Sequence, residues 1–294
     1  MDKRVYFRKS SFPILFVFPQ IVITVIFFIW PALQAFYQSF LIEDAFGLST
    51  EFVWFENYQY VLSDPEYYET FFRTIVFSFC VSFLTFSMAL LMAVAVNRLN
   101  YGVKTLCTIL ILPYAIAPAI SGVLWMFMLD PSIGNLTAIL KSFGVNWDYN
   151  TNGTQAMILV ILAASARQIS YNFVFFYAAL QSVPKSLIEA SAIDGAGPVK
   201  RFWTIVFPLI SPTCFFLLVI NIVYAFFESF GIIHTVTDGG PAKQTEILVF
   251  KVFKDGFIGL DLGSSAAQSI LLLILVCLMT FVQFRFIEKK VKYA

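Results

Sequence analysis

The sequence predicts an all-α protein that crosses a membrane several times. Of its 294 residues, 59% are hydrophobic and 13% are charged, against about 45–50% and 25% in ordinary soluble domains. Six apolar stretches are long enough to cross a hydrocarbon core of roughly 30 Å as helices, which rise about 1.5 Å per residue. In lipid, backbone amides must bond within their own segment, so these stretches are predicted to be helices.

The six predicted spans follow one another with short polar segments between them. They lie at residues 12–36, 70–96, 105–129, 155–179, 207–233 and 264–286. The first apolar stretch follows a positively charged start but is too long for the core of a signal peptide, so we expect an uncleaved helix. Residues 1–11 and 287–294 are predicted to be short polar termini.

The distribution of Lys and Arg predicts that both termini are cytoplasmic, because cytoplasmic segments retain positive charge. With this orientation, thirteen Lys and Arg residues fall in cytoplasmic segments and four in outer segments. The first outer segment, residues 37–69, holds seven acidic residues and no Lys or Arg. The net charge of +1 therefore conceals a polarised molecule and supplies no basic field that would favour nucleic acid as a partner.

The sequence carries none of the patterns that indicate an enzyme. It contains no G-x-x-x-x-G-K-[ST] motif for nucleotide phosphates and no H-E-x-x-H motif. All four cysteines lie in apolar spans, and there is one histidine, so a His/Cys metal site is not expected. We therefore expect no catalytic site, no cofactor and no metal, and a function in moving a solute or coupling to a partner.

The most informative segment is the predicted cytoplasmic loop between the fourth and fifth spans, residues 182–207. Pro184 favours the start of a helix, and Gly195 favours its end because glycine adopts the left-handed conformation readily. Pro198 begins a second helix, which Pro208 is predicted to break where the next span begins. On physical grounds alone, the loop is either an amphipathic linker on the membrane surface or a docking element for a soluble protein.

The residues of this loop resemble the EAA loop of ABC importer permeases. The resemblance rests on Glu189, Ala190, Ser191, Asp194, Gly195, Ala196, Phe202, Ile205 and Pro208. It implies that the first helix fits a cleft on a cytoplasmic ATPase subunit, with Glu189 as the charged contact, Gly195 as the turn and the small residues as the fitted surface. Ser191 stands where the family pattern has a second alanine, and this small-for-small change is compatible with docking.

The resemblance extends over the whole chain and is closest to the carbohydrate-uptake branch related to the maltose permeases. Glu56-Asn57-Tyr58, Leu112-Pro113 and Gly239-Gly240-Pro241 are similar to that branch, and Gln168-Ile169-Ser170-Tyr171-Asn172-Phe173 is similar to the permeases of sn-glycerol-3-phosphate importers. It implies a type I ABC importer permease fold in a bacterial inner membrane. The implied partners are membrane lipid, a second homologous permease subunit, two copies of a cytoplasmic ATP-binding subunit and a periplasmic substrate-binding protein.

Other functions remain open at this level. Glycerophosphodiesters or another sugar or polyol are alternative substrates within the same family. An ion-coupled secondary transporter would be expected to show internal repeats and a relay of intramembrane carboxylates, and the sequence shows no clear repeat. A membrane scaffold without transport would leave the polar residues inside the spans unexplained.

Polar residues within the fourth and fifth spans are candidates for a translocation path, because burying charge in a membrane is costly. The candidates are Arg167, Gln168, Asn172, Asn221, Tyr224, Glu228 and Ser229. Asn221, Tyr224 and Glu228 follow i, i+3, i+7 spacing and are expected to share one helix face. Arg167 would attract a phosphate. The alternative is that Arg167 pairs with Glu228, or that these polar groups join helices to one another.

Overall fold

The computed structural model describes residues 11–43 and 49–288, and this part of the chain is predominantly helical. Most of the two predicted cytoplasmic ends, residues 1–11 and 287–294, lies outside the described residues. The chain divides into two compact units, one formed by residues 1–64 with 252–271 and the other by residues 65–251 with 272–294.

The elements alternate long apolar helices with short helical or irregular connections. The first are α1 (Ser11–Thr24), a π-helical segment (Val25–Ile29), α2 (Trp30–Gln38), β1 (Leu41–Glu43), β2 (Thr50–Phe52), α3 (Glu56–Ser63) and α4 (Pro65–Asn97). Next come α5 (Val103–Ile111), a 3-10 segment (Leu112–Ala115), α6 (Pro118–Met128), α7 (Asn135–Ser142), α8 (Gly153–Ser182), α9 (Lys185–Ile193) and α10 (Pro198–Arg201). The last are a π-helical segment (Phe202–Val206), α11 (Phe207–Leu209), α12 (Ser211–Val223), a π-helical segment (Tyr224–Glu228), α13 (Phe230–Val236), α14 (Leu248–Phe253), a π-helical segment (Lys254–Ile258), α15 (Leu262–Val282) and a π-helical segment (Gln283–Ile287).

Within the described residues, the structure has five helices that are long and apolar enough to cross a membrane, and a bent helix pair as a sixth candidate. The five are Leu15–Gln38, Pro65–Asn97, Gly153–Ser182, Ser211–Glu228 and Leu262–Phe286. They correspond to five of the six predicted spans and confirm the polytopic helical fold class. The helix Ser211–Glu228, which corresponds to the predicted fifth span, ends before the predicted limit at residue 233.

The prediction of a straight third span over residues 105–129 is wrong. Val103–Ala115 and Pro118–Met128 meet at an angle of 102°. Ile116 and Ala117 are extended between them, with ψ of 136° and 143°. Pro118 occupies the first turn of α6, where its missing N–H is tolerated, and it cannot continue the preceding helix.

In the larger unit, α4 packs along α8, and buried side chains form two clusters. One includes Leu159 and Val160 of α8 with Ile232 and Ile233 of α13. The other surrounds Phe176 of α8, and its further members are Ala89, Ala93, Val96, Phe173, Leu180, Val183, Ile210, Cys214 and Leu217. The alanines let the two long helices approach closely, as small residues do between membrane helices.

In the smaller unit, a short hairpin is fastened to α3 and to the start of α15. Leu41 pairs with Phe52 in the antiparallel hairpin. The Asn57 side chain donates hydrogen bonds of 2.9 Å to the backbone oxygens of Ser39 and Leu41. A Cβ at Gly263 would lie 2.2 Å from the Leu41 oxygen, so only glycine permits this close approach.

Candidate functional site

The helix α9 of the predicted coupling loop has well-formed ends. It begins at Lys185 directly after Pro184, whose extended backbone separates it from α8. At its other end, Gly195 has a φ of +79°. The Ala196 N–H donates to the Ser191 oxygen at 3.0 Å, and the Gly195 N–H donates to the Ala192 oxygen at 3.1 Å. This pair of bonds is a Schellman motif, and it confirms the predicted helix end at Gly195.

The loop presents a mixed apolar and acidic surface to solvent. Ile193 is 87% exposed, Val199 is 72% exposed and Trp203 is 57% exposed. The Glu189 carboxylate, on the same loop, is also exposed and forms no ion pair within the described residues. We call Glu189, Ile193, Val199 and Trp203 the coupling surface. Exposed large apolar side chains of this kind mark sites of interaction with another protein or with a membrane.

The opposite side of α9 holds the loop against the membrane helices. Ile188 packs against the cluster around Phe176. Ser191 is 8% exposed, and its hydroxyl donates to the Ile188 oxygen at 2.8 Å. The two small residues therefore lie on different sides of α9. Ala190 is exposed, as is Asp194, whereas Ser191 faces inward and is not available to a partner surface.

The second helical part of the loop continues further than Pro208 suggests. The chain remains helical through α10, the π-helical segment Phe202–Val206 and α11, and Pro208 lies in the first turn of α11. The boundary before α12 lies at Ile210, with φ of −88° and ψ of 1°. The predicted break therefore occurs two residues after Pro208, at Ile210, and not at the proline itself.

Three amides from the fourth and fifth spans form a buried network. The Asn221 Oδ1 accepts hydrogen bonds from Gln168 Nε2 at 3.1 Å and from Asn172 Nδ2 at 2.8 Å. The Asn221 Nδ2 donates to Asn172 Oδ1 at 3.0 Å. None of the three side chains is more than 3% exposed. The network joins α8 to α12, as polar side chains do between membrane helices.

Tyr224 and Ser229 are also engaged within the chain. The Tyr224 hydroxyl donates to the Ala164 oxygen at 3.0 Å, and the residue is 2% exposed. The Ser229 hydroxyl donates to the Ala225 oxygen at 2.7 Å and is buried. Both hydroxyls therefore have hydrogen-bond partners within the chain, Tyr224 on a neighbouring helix and Ser229 on its own helical segment.

Arg167 lies at the break in the third span. Its Nε donates to the Ile116 oxygen at 3.4 Å, and its guanidinium carbon lies 4.6 Å from the centre of the Tyr114 ring. Because the break removes the helical partner of the Ile116 carbonyl, a charged donor from α8 stabilises it. The same guanidinium gains a cation–π contact with Tyr114.

Glu228 ends the π-helical segment after α12 and is exposed. Within the described residues it forms no ion pair with Arg167, so the alternative of an Arg167–Glu228 bridge is not realised. Asn221 and Tyr224 are buried while Glu228 is exposed, and the expected common face of these three residues is wrong. A π-helical turn adds a residue relative to the α-helix, which rotates the following side chains by about 100°.

Sequence reasoning missed some of the residues that shape these sites. Tyr114 and Ile116 had no role assigned, although the two prolines around them, Pro113 and Pro118, signal a break in the helix. Val199 and Trp203 are exposed on the loop but do not belong to the EAA pattern that predicts its site residues. The sequence feature that could have identified Trp203 is the presence of a large aromatic residue in a predicted cytoplasmic loop.

These features define a class: a multi-pass helical membrane permease with a capped, exposed helix on one loop. Residues 68–293 match the family described as binding-protein-dependent transport system inner membrane component. The chain belongs to this family, and it is a permease subunit of an ABC importer.

Close relatives match nearly the whole chain. The sn-glycerol-3-phosphate transport system permease protein UgpA of Agrobacterium fabrum is 55% identical and aligns with 98% of this chain and 99% of its own length. The protein of the same name from Pectobacterium atrosepticum is 51% identical, with 99% of each chain covered. Among solved structures, a chain of the bacterial alginate ABC transporter in complex with a pentasaccharide-bound periplasmic protein has a TM-score of 0.80 at 20% identity and covers 96% of each chain. This likeness confirms the type I ABC importer permease fold.

Proposed function

We propose that this permease carries sn-glycerol-3-phosphate inward across a bacterial inner membrane. The observation that supports the substrate is the similarity to relatives bearing that name, at 51–55% identity over nearly the full length of both chains. The substrate is a small phosphate ester that cannot cross lipid unaided, since an isolated charge is costly in hydrocarbon.

The proposed assembly contains this chain, a second homologous permease subunit, two copies of a cytoplasmic ATP-binding subunit and a periplasmic substrate-binding protein. About six spans would supply half of a pathway at the interface of two permeases. The alginate transporter that shares the fold was solved with a periplasmic protein, which supports a binding protein as the source of substrate.

In the proposed mechanism, the coupling surface carries movement from the ATP-binding subunit to the membrane helices. Ile193, Val199 and Trp203 are exposed and would be buried in a cleft of that subunit, and Glu189 would pair with a cation there. Ile188 packs against the cluster around Phe176, so a pull on α9 is transmitted to α8. Closure of two ATP-binding subunits would draw two such loops together and open the pathway outward, and hydrolysis would restore the inward state.

Within the proposed path, Arg167 and Glu228 are the side chains best placed to meet substrate. Gln168, Asn172 and Asn221 bond to one another, whereas Glu228 is exposed and Arg167 is half-buried. A guanidinium matches the geometry of a phosphate. The Glu228 carboxylate would accept hydrogen bonds from the glycerol hydroxyls.

Reconstitution of the complete complex tests this proposal. ATP hydrolysis is measured with the binding protein present, against sn-glycerol-3-phosphate and, separately, maltose. We expect stimulation by sn-glycerol-3-phosphate and none by maltose. Stimulation by maltose alone would overturn the substrate, and failure of Glu189→Arg to weaken binding of the ATP-binding subunit would overturn the coupling role.

A further inference from the structure

A cavity of about 360 Å³ lies behind the coupling loop, between that loop and the ends of α4 and α8. This is the side of the membrane that the charge pattern predicts to be cytoplasmic. Its walls include Ile188, Arg201 and Val206 from the loop and Val94, Arg98 and Leu180 from the helix ends. The cavity is separate from the coupling surface, since it lies on the inner side of α9.

The polar groups of this cavity are suited to an anion. Arg98 and Arg201 both line it, and no carboxylate does. Neither arginine forms an ion pair with any residue in the described ranges 11–43 and 49–288. Asn97 also lines the cavity, and its Oδ1 accepts a hydrogen bond from Gln181 Nε2 at 2.6 Å. The Nδ2 group of the Asn97 amide is a hydrogen-bond donor, which suits an anion in the cavity.

The walls of the cavity suit a phosphate group that is attached to a larger molecule. Guanidinium groups bind phosphate oxygens through paired hydrogen bonds. The remaining wall is apolar, through Val94, Leu180 and Val206, and it suits the carbon skeleton that carries the phosphate. Basic pockets between membrane helices on the cytoplasmic side bind anionic lipid head groups in the same way.

We propose that the Arg98–Arg201 cavity binds a phosphate group, carried either by an anionic phospholipid or by a soluble phosphate ester. Arg98 directly follows α4, whereas Arg201 belongs to the loop. A phosphate held by both guanidiniums links the coupling loop to the end of the second span. The bound group therefore adjusts how firmly α9 is held against the membrane helices, which is a means of regulation beyond the proposed transport function.

The test measures binding and does not depend on transport. The assembled transporter is analysed by native mass spectrometry after exchange into phosphatidylglycerol, and by calorimetric titration with inorganic phosphate in phosphatidylcholine nanodiscs. The variants are Arg98→Gln/Arg201→Gln, the charge-keeping Arg98→Lys/Arg201→Lys, and a control, Lys104→Gln/Arg285→Gln. The control removes two exposed charges from the same predicted side, outside the cavity.

We expect the glutamine pair to weaken binding about 30-fold, or roughly fivefold for each arginine. The lysine pair keeps the charge but loses the paired hydrogen bonds, so its affinity should lie between those of the glutamine pair and the unmodified transporter. The control should stay within a few-fold of the unmodified transporter. A loss confined to phosphatidylglycerol identifies a lipid head group, and a loss confined to inorganic phosphate identifies a soluble ester; either supports the site. The proposal is overturned if the unmodified transporter binds neither probe or if the glutamine pair binds the probes as tightly as the unmodified transporter. It is also overturned if the control loses as much affinity as the glutamine pair.

Discussion

Gly195 and Gly197 offer a matched test of how the coupling helix is built. A Cβ at either position meets no atom within 4 Å, so an added methyl group clashes with nothing at either site. The backbones differ: φ is +79° at Gly195 and −68° at Gly197. The left-handed conformation costs a residue with a Cβ about 1–2 kcal/mol, and the conformation of Gly197 costs it almost nothing.

Gly195→Ala should therefore shift the opening equilibrium of the helix end by about 5- to 30-fold, and Gly197→Ala should leave it unchanged. Hydrogen–deuterium exchange of the reconstituted complex without ATP reports this directly, because the Ala196 N–H bonds to the Ser191 oxygen across the turn. Stimulated ATP hydrolysis should fall in Gly195→Ala and stay unchanged in Gly197→Ala. Gly195→Asn should be intermediate, because Asn tolerates the left-handed conformation better than Ala does. Equal exchange rates in the two alanine variants would refute the reasoning.

The other predictions concern the amide network, the coupling surface and the span break. Asn221→Leu leaves buried amide partners unsatisfied and should lower stability by about 1–3 kcal/mol, measured by thermal denaturation of the solubilised complex. Its control, Gln181→Leu, disrupts an exposed amide pair and should change stability by less than about 0.5 kcal/mol. Ile193→Ser should weaken binding of the ATP-binding subunit by about 10- to 150-fold, measured by co-purification at graded concentrations. Phe143 is 80% exposed on the predicted outer side, so the control Phe143→Ser should leave this binding unchanged. Arg167→Gln removes a charged hydrogen bond and should raise the KM for import of sn-glycerol-3-phosphate by about tenfold or more; an unchanged KM would exclude the phosphate role of Arg167.

The positions of most spans could be predicted because a membrane crossing depends on length and apolarity, which any single segment reveals. The bend in the third span was missed for a different reason. A hydropathy pattern reports apolar length, and residues 105–129 contain no charged residue. The direction of the chain depends on Pro113 and Pro118, and on whether a neighbour such as Arg167 satisfies the exposed carbonyl of the break. That neighbour is 51 residues away in sequence.

The polar residues of the fifth span also show what a single sequence does not reveal, in this case the direction in which each side chain points. Their identity marked them as important, but their direction required the helix type. An i, i+3, i+7 pattern keeps one face only while the helix remains α. The π-helical segment Tyr224–Glu228 changes the phase, so Asn221 faces the amides of α8 while Glu228 faces outward. A hydrogen-bonded network between α8 and α12 is a pairing between distant segments, which one sequence does not reveal.

The exposure of Glu228 constrains what covers this side of the permease. Glu228 ends a helix that is long and apolar enough to cross the membrane, yet its side chain is exposed and forms no ion pair within the described residues. A carboxylate that faces lipid within a membrane helix is costly, and the cost is highest near the middle of the membrane. That cost is avoided if the face bears water, substrate or polar groups of a second permease. The surface around Glu228 is therefore expected to face the proposed pathway, and Glu228→Leu should lower transport while leaving insertion into the membrane intact.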